Sequence, residues 1–178
     1  MYIRQSIPFL ILLLTIFSNG ICAQKVERER RIPSERFPVV SLTFLESGFT
    51  GRTHQKLYLE TGSSGTAYEA KFEFEKRKYS VKFNENGQWL DTEKEIHEDE
   101  ILPEVLSCIN INLDSGFGFD KFKIKRIQVQ NSKYGLRYEI EVKGKSRGKT
   151  ELYEFLFEAD GRYIRHEVIL IESYTNEF

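Results

Sequence analysis

Apolar and polar residues alternate with a period of two along several stretches of the chain. Tyr68, Ala70, Phe72 and Phe74 interleave with Glu69, Lys71, Glu73 and Glu75, and Tyr138, Ile140 and Val142 with Arg137, Glu139, Glu141 and Lys143. Tyr79, Val81 and Phe83 continue the pattern, as do Tyr153, Phe155 and Phe157. Successive side chains of a strand point to opposite faces, so the alternation predicts antiparallel strands with one buried and one solvated face. Two other stretches carry helical spacing. Ile101, Leu102, Val105, Leu106, Ile109 and Leu113 make one apolar stripe, and Phe37, Val40, Phe44 and Leu45 a less regular one. Ser34 and Asp99 are the expected N-caps, with Pro38 and Pro103 in the first turns. Gly48 and Gly116, each followed by a phenylalanine, are the expected helix ends.

Turn residues separate the strands. Asn86-Gly87 and Asp160-Gly161 predict two-residue hairpins. Gly62-Ser63-Ser64-Gly65 and Lys76-Arg77 predict turns in the first half, and residues 144–148 a longer loop in the second. Each helix is thus followed by about four strands. Glu46-Ser47-Gly48-Phe49 returns as Asp114-Ser115-Gly116-Phe117, 68 residues later. Tyr68-Glu69-Ala70 returns as Tyr138-Glu139-Ile140 after 70 residues, and Phe83-Asn84-Glu85-Asn86-Gly87 as Phe157-Glu158-Ala159-Asp160-Gly161 after 74. Anchors that keep their order while the offset grows slowly predict a duplicated unit. The unit is a helix plus a four-stranded antiparallel meander, over residues 34–97 and again over 98–174.

Residues 1–23 have the form of a cleavable signal peptide. Arg4 starts it, residues 7–17 are apolar apart from Pro8 and Thr15, and small residues lead to Ala23. Ile21 stands where a lipoprotein signal wants a small residue before the cysteine. Residues 24–33 are charged and nearly without apolar content, which predicts a flexible leader. The mature chain is expected in the periplasm or outside the cell. It holds no stretch long and apolar enough to span a bilayer, so no membrane insertion is expected.

The chain carries 26 Lys and Arg against 27 Asp and Glu, with the signs interspersed, for a net charge of −1. Nucleic-acid binding calls for a concentrated basic face, and none is legible here, so no nucleic acid is expected as partner. After cleavage Cys108 stands alone and forms no internal disulfide. It reads as a small buried helix residue or as a reactive thiol.

Candidate chemistry is sparse. Gly144-Lys145-Ser146 and Gly148-Lys149-Thr150 imitate the end of a phosphate loop, but lack its earlier glycine and precede a strand. Gly62-Ser63-Ser64-Gly65 lacks the spacing of a nucleophile elbow. His54, His97 and His166 are far apart and share no ligand spacing with one another or with Cys108. No catalytic, metal-binding or cofactor-binding residues are assigned, and no cofactor is expected. Trp89 and Tyr163 stand out, because each follows a hairpin signal and opens a fourth strand. Strict alternation puts Trp89 with Asp91, Glu93 and Glu95, where a large aromatic marks a partner-binding surface. The alternative is that the strand ends curl and both rings join the core.

The run Tyr68-Glu69-Ala70-Lys71-Phe72, then Val81-Lys82-Phe83-Asn84-Glu85-Asn86-Gly87-Gln88-Trp89-Leu90, Thr92-Glu93 and Leu102-Pro103, resembles the PepSY-like family of exported Bacteroidetes proteins. Tyr138 to Val142 and Phe157 to Gly161 match it more loosely. The resemblance covers residue 37 to about residue 171. It implies an α+β fold like that of β-lactamase-inhibitory protein, with two repeats in one curved sheet backed by helices and an open face. It implies no catalytic residues, and an association with peptidase propeptides and enzyme inhibition. The expected function is an exported, non-enzymatic module that binds an envelope protein or peptide through the open sheet face. A carrier or sensor of a small envelope ligand, held between sheet and helices, is the alternative.

Overall fold

The computed structural model describes residues 23–25, 28–62 and 65–169. Residues 1–22 of the expected signal peptide and the end of the second unit beyond residue 169 lie outside them, while Ala23, its expected last residue, is described.

Among the described residues ten strands make one sheet: β1 (Ala23–Lys25), β2 (Arg28–Ile32), β3 (Thr53–Gly62), β4 (Gly65–Phe74), β5 (Arg77–Asn84), β6 (Trp89–Ile96), β7 (Lys121–Ser132), β8 (Gly135–Ser146), β9 (Lys149–Glu158) and β10 (Tyr163–Ile169). Helix α1 (Val39–Gly48) connects β2 to β3, and α2 (Pro103–Gly116) connects β6 to β7. The order across the sheet is β1-β10-β9-β8-β7-β6-β5-β4-β3-β2. From β2 to β10 it is nine strands, each antiparallel to its chain neighbour, and β1 pairs parallel to β10.

Both helices pack on the same face. Leu45 of α1 and the preceding Phe37 meet Leu57, Ala70, Phe72, Val81 and Phe83. Val105, Ile109 and Leu113 of α2 meet Ile127, Ile140, Val142, Phe155 and Phe157. The register joins the clusters in one row, Phe72–Tyr79–Lys94–Val129–Tyr138–Phe157, so the alternation seen in the sequence is continuous across the sheet. The opposite, outer face has no helix on it among the described residues.

Several local expectations change. Residues 28–32, expected in a flexible leader, pair with β3 as β2, and Ile32 is buried. Pairing at a sheet edge satisfies backbone groups and needs little apolar content, which is why composition concealed the strand. Ser34 opens one single 3-10 turn and Asp99 is the middle residue of another, so neither caps a helix. Pro38 is itself the N-cap of α1, and Pro103 is the first residue of α2, where a missing N–H costs nothing. Gly48 and Gly116 are the last helical residues, and Phe49 and Phe117 fold back onto the sheet, 4.9 Å from Phe72 and 4.7 Å from Phe155 between ring centres.

The turns also differ. Asn86-Gly87 and Asp160-Gly161 belong to three-residue loops, closed by Asn84 N–H to the Gln88 carbonyl and Glu158 N–H to the Arg162 carbonyl, both 2.9 Å. Gly87 and Gly161 take positive φ there, the glycine position of a hairpin with a bulge. The turn expected at Lys76-Arg77 is Glu75-Lys76, both with positive φ. The loop expected over residues 144–148 shrinks to Arg147-Gly148, because β8 runs on to Ser146.

Candidate functional site

Trp89 and Tyr163 lie on the helix side of the sheet. The Trp89 ring stacks on Phe44 of α1 at 6.4 Å, and its Nε1 donates to Thr92 Oγ1 at 2.9 Å. Tyr163 packs on Phe117 at 5.0 Å and its hydroxyl lies 2.7 Å from His166 Nδ1, with 38% of the residue exposed. The two rings are therefore not on the face with Asp91, Glu93 and Glu95. A bulge just after each ring, at Leu90 and at Ile164, reverses the alternation. Cys108 is half-buried on α2, where its Cβ bounds the space next to Gly161.

The outer face is built from the polar positions of the strands. Register places Tyr58 opposite Glu69, Glu69 opposite Lys82, and Lys82 opposite Asp91. It also places Lys71 opposite Ser80 and Ser80 opposite Glu93. Glu69, Lys82 and Asp91 alternate in sign across three strands, and ion pairs tie this part of the face together. Lys71 Nζ lies 2.8 Å from Glu29 and 3.0 Å from Glu69, and Lys82 Nζ lies 2.8 Å from Glu60. The Ser80 hydroxyl donates to Glu69. Gln128 and Gln130 donate to the two oxygens of Glu93 at 2.9 and 3.2 Å. Arg126 pairs with Glu141, and Arg137 lies 3.5 Å from Glu158.

This face was expected to be solvated. Glu60 and Glu69 are instead only 5% exposed, and Ser80, Gln128 and Glu139 are buried with them. Long side chains laid across the sheet cover one another, as paired charges must when water is displaced. Burial and the neighbouring Glu69 push the Glu60 carboxyl up to about 7, against the pull of Lys82. Burial, with Asp91 and Glu69 close by, pushes Glu93 up to about 7. Burial opposes the charge on Glu69 as well, but Lys71, Lys82 and the Ser80 hydroxyl together hold it below the ordinary carboxylate value. Burial opposes the charge on half-buried Lys71, but Glu69 and Glu29 together hold it above the ordinary ammonium value.

Carboxylate oxygens of Glu29, Glu60 and Glu69 lie within 4.8 Å of one another. Lys71 and Lys82 are bonded to the same groups, so the cluster is neutralised from within. Beside it a cleft of about 300 Å³ reaches from Lys56 and Tyr58 on β3 to Arg126 and Gln128 on β7. These residues were not singled out in the sequence. Their signal was the polar half of the alternation, which shows which side chains share a face but not which strands are neighbours.

No known family's sequence pattern matches the chain, and no curated protein matches it. Solved structures do. A BLIP-like protein from Bacteroides fragilis superposes with a TM-score of 0.53 at 17% identity, over 78% of this chain and 87% of that one. A DUF2874 family protein from Bacteroides ovatus gives 0.55 at 14% identity, over 74% and 87%. A candidate periplasmic protein from Bacteroides eggerthii gives 0.56 at 14% identity, over 75% and 89%. At these identities the likeness is one of fold. No helix among the described residues is long and apolar enough to cross a membrane.

Proposed function

We propose that this chain is an exported, non-enzymatic binding module that engages a protein or peptide of the cell envelope through the outer sheet face. One observation carries the reading: among the described residues, nine antiparallel strands are covered by helices on one side only, and the other side presents charges already held in place by one another. Ordered charges lose little freedom on binding and favour a complementary surface over others. The BLIP-like and candidate periplasmic neighbours support the same reading, and inhibition of an envelope enzyme falls within it. The PepSY-like resemblance supports it too. So does a duplication of helix and meander, for which the matched hairpins at Gly87 and Gly161 speak. The cleft spanning β3 to β7 is what a sheet bent towards that face would hold. That cleft also favours a second reading, a small-ligand carrier, with the ligand on the outer face instead of under the helices.

Export has its own test. Mass spectrometry of protein from the native envelope should find Gln24 at the N-terminus, and retention of Met1 in the cytoplasm would end the exported reading. Binding is tested by crosslinking the mature protein in envelope extract. Reversing the exposed outer-face charges Glu73 and Lys78 should abolish the crosslinked partner, while Val40→Asp on the exposed side of α1 should not. The opposite pattern would move the binding surface to the helices.

A further inference from the structure

Most charges on the outer face over β2–β6 are held in ion pairs, whereas those at one end of β7 and β8 are not. Register sets Lys121 opposite Lys145 and Lys123 opposite Lys143, so four ammonium groups share one face of two neighbouring strands. Like charges directly opposite in an antiparallel pair repel and weaken the sheet. None of the four is in an ion pair or side-chain hydrogen bond among the described residues. Two nearby carboxylates are engaged elsewhere, Glu141 with Arg126, and Glu151 with Lys149 at 2.6 Å and the Tyr153 hydroxyl at 3.0 Å, which leaves Asp120, next to Lys121, as one carboxylate beside four ammonium groups. Lys121, Lys123 and Lys143 are exposed and Lys145 is half-buried. With Phe122 and Thr150 they line a cavity of about 500 Å³. Interspersed charge along the chain conceals this patch, because only strand pairing brings the two lysine pairs together.

We propose that this lysine quartet docks an acidic segment of a partner protein in extended form. The proposal rests on the outer face being the partner-binding surface, and it names the partner's chemistry. Lysines two residues apart on a strand repeat about every 7 Å, and an extended peptide presents alternate side chains at the same repeat. Carboxylates at every second position of the partner therefore meet successive lysines. A compact anion such as inorganic phosphate is best held by converging backbone N–H groups or arginine forks. Here the backbone of β8 is committed to ladders on both sides, this end of β7 offers one extended strand edge and not converging N–H groups, and no arginine lines the cavity. A membrane surface would call for apolar groups that insert beside the lysines, and Phe122 alone is present. A repulsive, unneutralised patch is a feature that stability would remove and binding would keep.

The test uses the mature protein and a fluorescein-labelled peptide of alternating Glu and Thr, followed by anisotropy. Binding is expected at low salt, weakening towards physiological salt as exposed charges are screened. The peptide with Gln in place of Glu should not bind. K123Q/K143Q should weaken binding by about tenfold or more, K123R/K143R should retain it, and the melting temperature of K123Q/K143Q should hold or rise. Unchanged affinity in K123Q/K143Q overturns the proposal, as does a fall in its melting temperature, which would make the lysines structural. Equal binding of inorganic phosphate or of phosphatidylglycerol vesicles, in competition with the peptide, also overturns it. The broader reading fails separately, through the crosslinking of the Glu73 and Lys78 variants.

Discussion

Phe83 on β5 stands directly opposite Trp89 on β6, although the preceding pair is Lys82 with Asp91. Leu90 is the extra residue, and this single-residue bulge carries the indole from the charged face to the helix face. Phe157 and Tyr163 repeat the relationship: the preceding pair is Leu156 with Arg165, and Ile164 is the extra residue. A slip of one residue exchanges the two faces of a strand, so strand ends are where alternation misleads.

Trp89 should therefore behave as a packing residue. Trp89→Ala removes the stack on Phe44, the contact with the first core cluster and the bond to Thr92. The ring is half-buried, so the cost should be about 2–3 kcal/mol, below that of a fully buried tryptophan. Denaturant unfolding followed by circular dichroism measures it. A variant as stable as the parent would return Trp89 to the candidates for partner binding.

Much of this fold was legible, and the reasons are local. Strands such as β4 and β8 alternate without interruption, and hairpins are marked by residues that tolerate positive φ. What could not be read depends on neighbours remote in sequence. β2 looks like a charged leader because its stabilising partner is the backbone of β3. Glu69 looks solvated because Lys71, Ser80 and Lys82 come from positions whose register is set by turn lengths. The same applies to Lys123 and Lys143, which meet only because β7 and β8 pair. The outer-face site is thus a property of pairing, whereas the core is a property of pattern.

Gly144 is a case in which the structure demands glycine inside a strand. A Cβ there would lie 2.5 Å from Phe119, whose ring covers the backbone. Gly144→Ala should cost about 1–3 kcal/mol by overpacking. In a Phe119→Leu background the same change should cost clearly less, since the two positions share the space. Equal costs in both backgrounds would refute the contact.

Gly161 and Gly51 have the same φ of +84°, but different surroundings. A Cβ at Gly161 meets the Val105 carbonyl oxygen at 2.7 Å, whereas nothing lies within 4 Å at Gly51. Gly51→Ala should show only the backbone strain of about 1 kcal/mol. Gly161→Ala should lose more, because the α2 backbone would have to shift away from the β9–β10 hairpin. Thermal melts of the two variants separate strain from collision.

The outer face also predicts how stability varies with pH. Glu60 and Glu93 hold their protons up to about 7 in the folded state, against 4.5 when unfolded. Folding binds these protons more tightly, so the stabilising contribution is complete below about pH 4.5 and is lost as pH rises towards 7. Glu69, held below its ordinary value, acts in the opposite sense, and its contribution is lost only as pH falls below the carboxylate range. Burial also holds His166 below the ordinary imidazole value, which acts in the opposite sense. Two strongly raised carboxyls outweigh one histidine, so between about pH 5 and pH 8 the protein should lose stability, by up to about 3 kcal/mol for a group shifted this far. Glu93→Gln keeps a neutral side chain between Gln128 and Gln130 and should remove a large part of the slope, with Glu60→Gln removing another part. Urea unfolding at a series of pH values measures all three proteins. A parent that gains stability from pH 5 to pH 8, or a slope untouched by Glu93→Gln, would show that these carboxyls are ionised and that the face is wetter than its packing indicates.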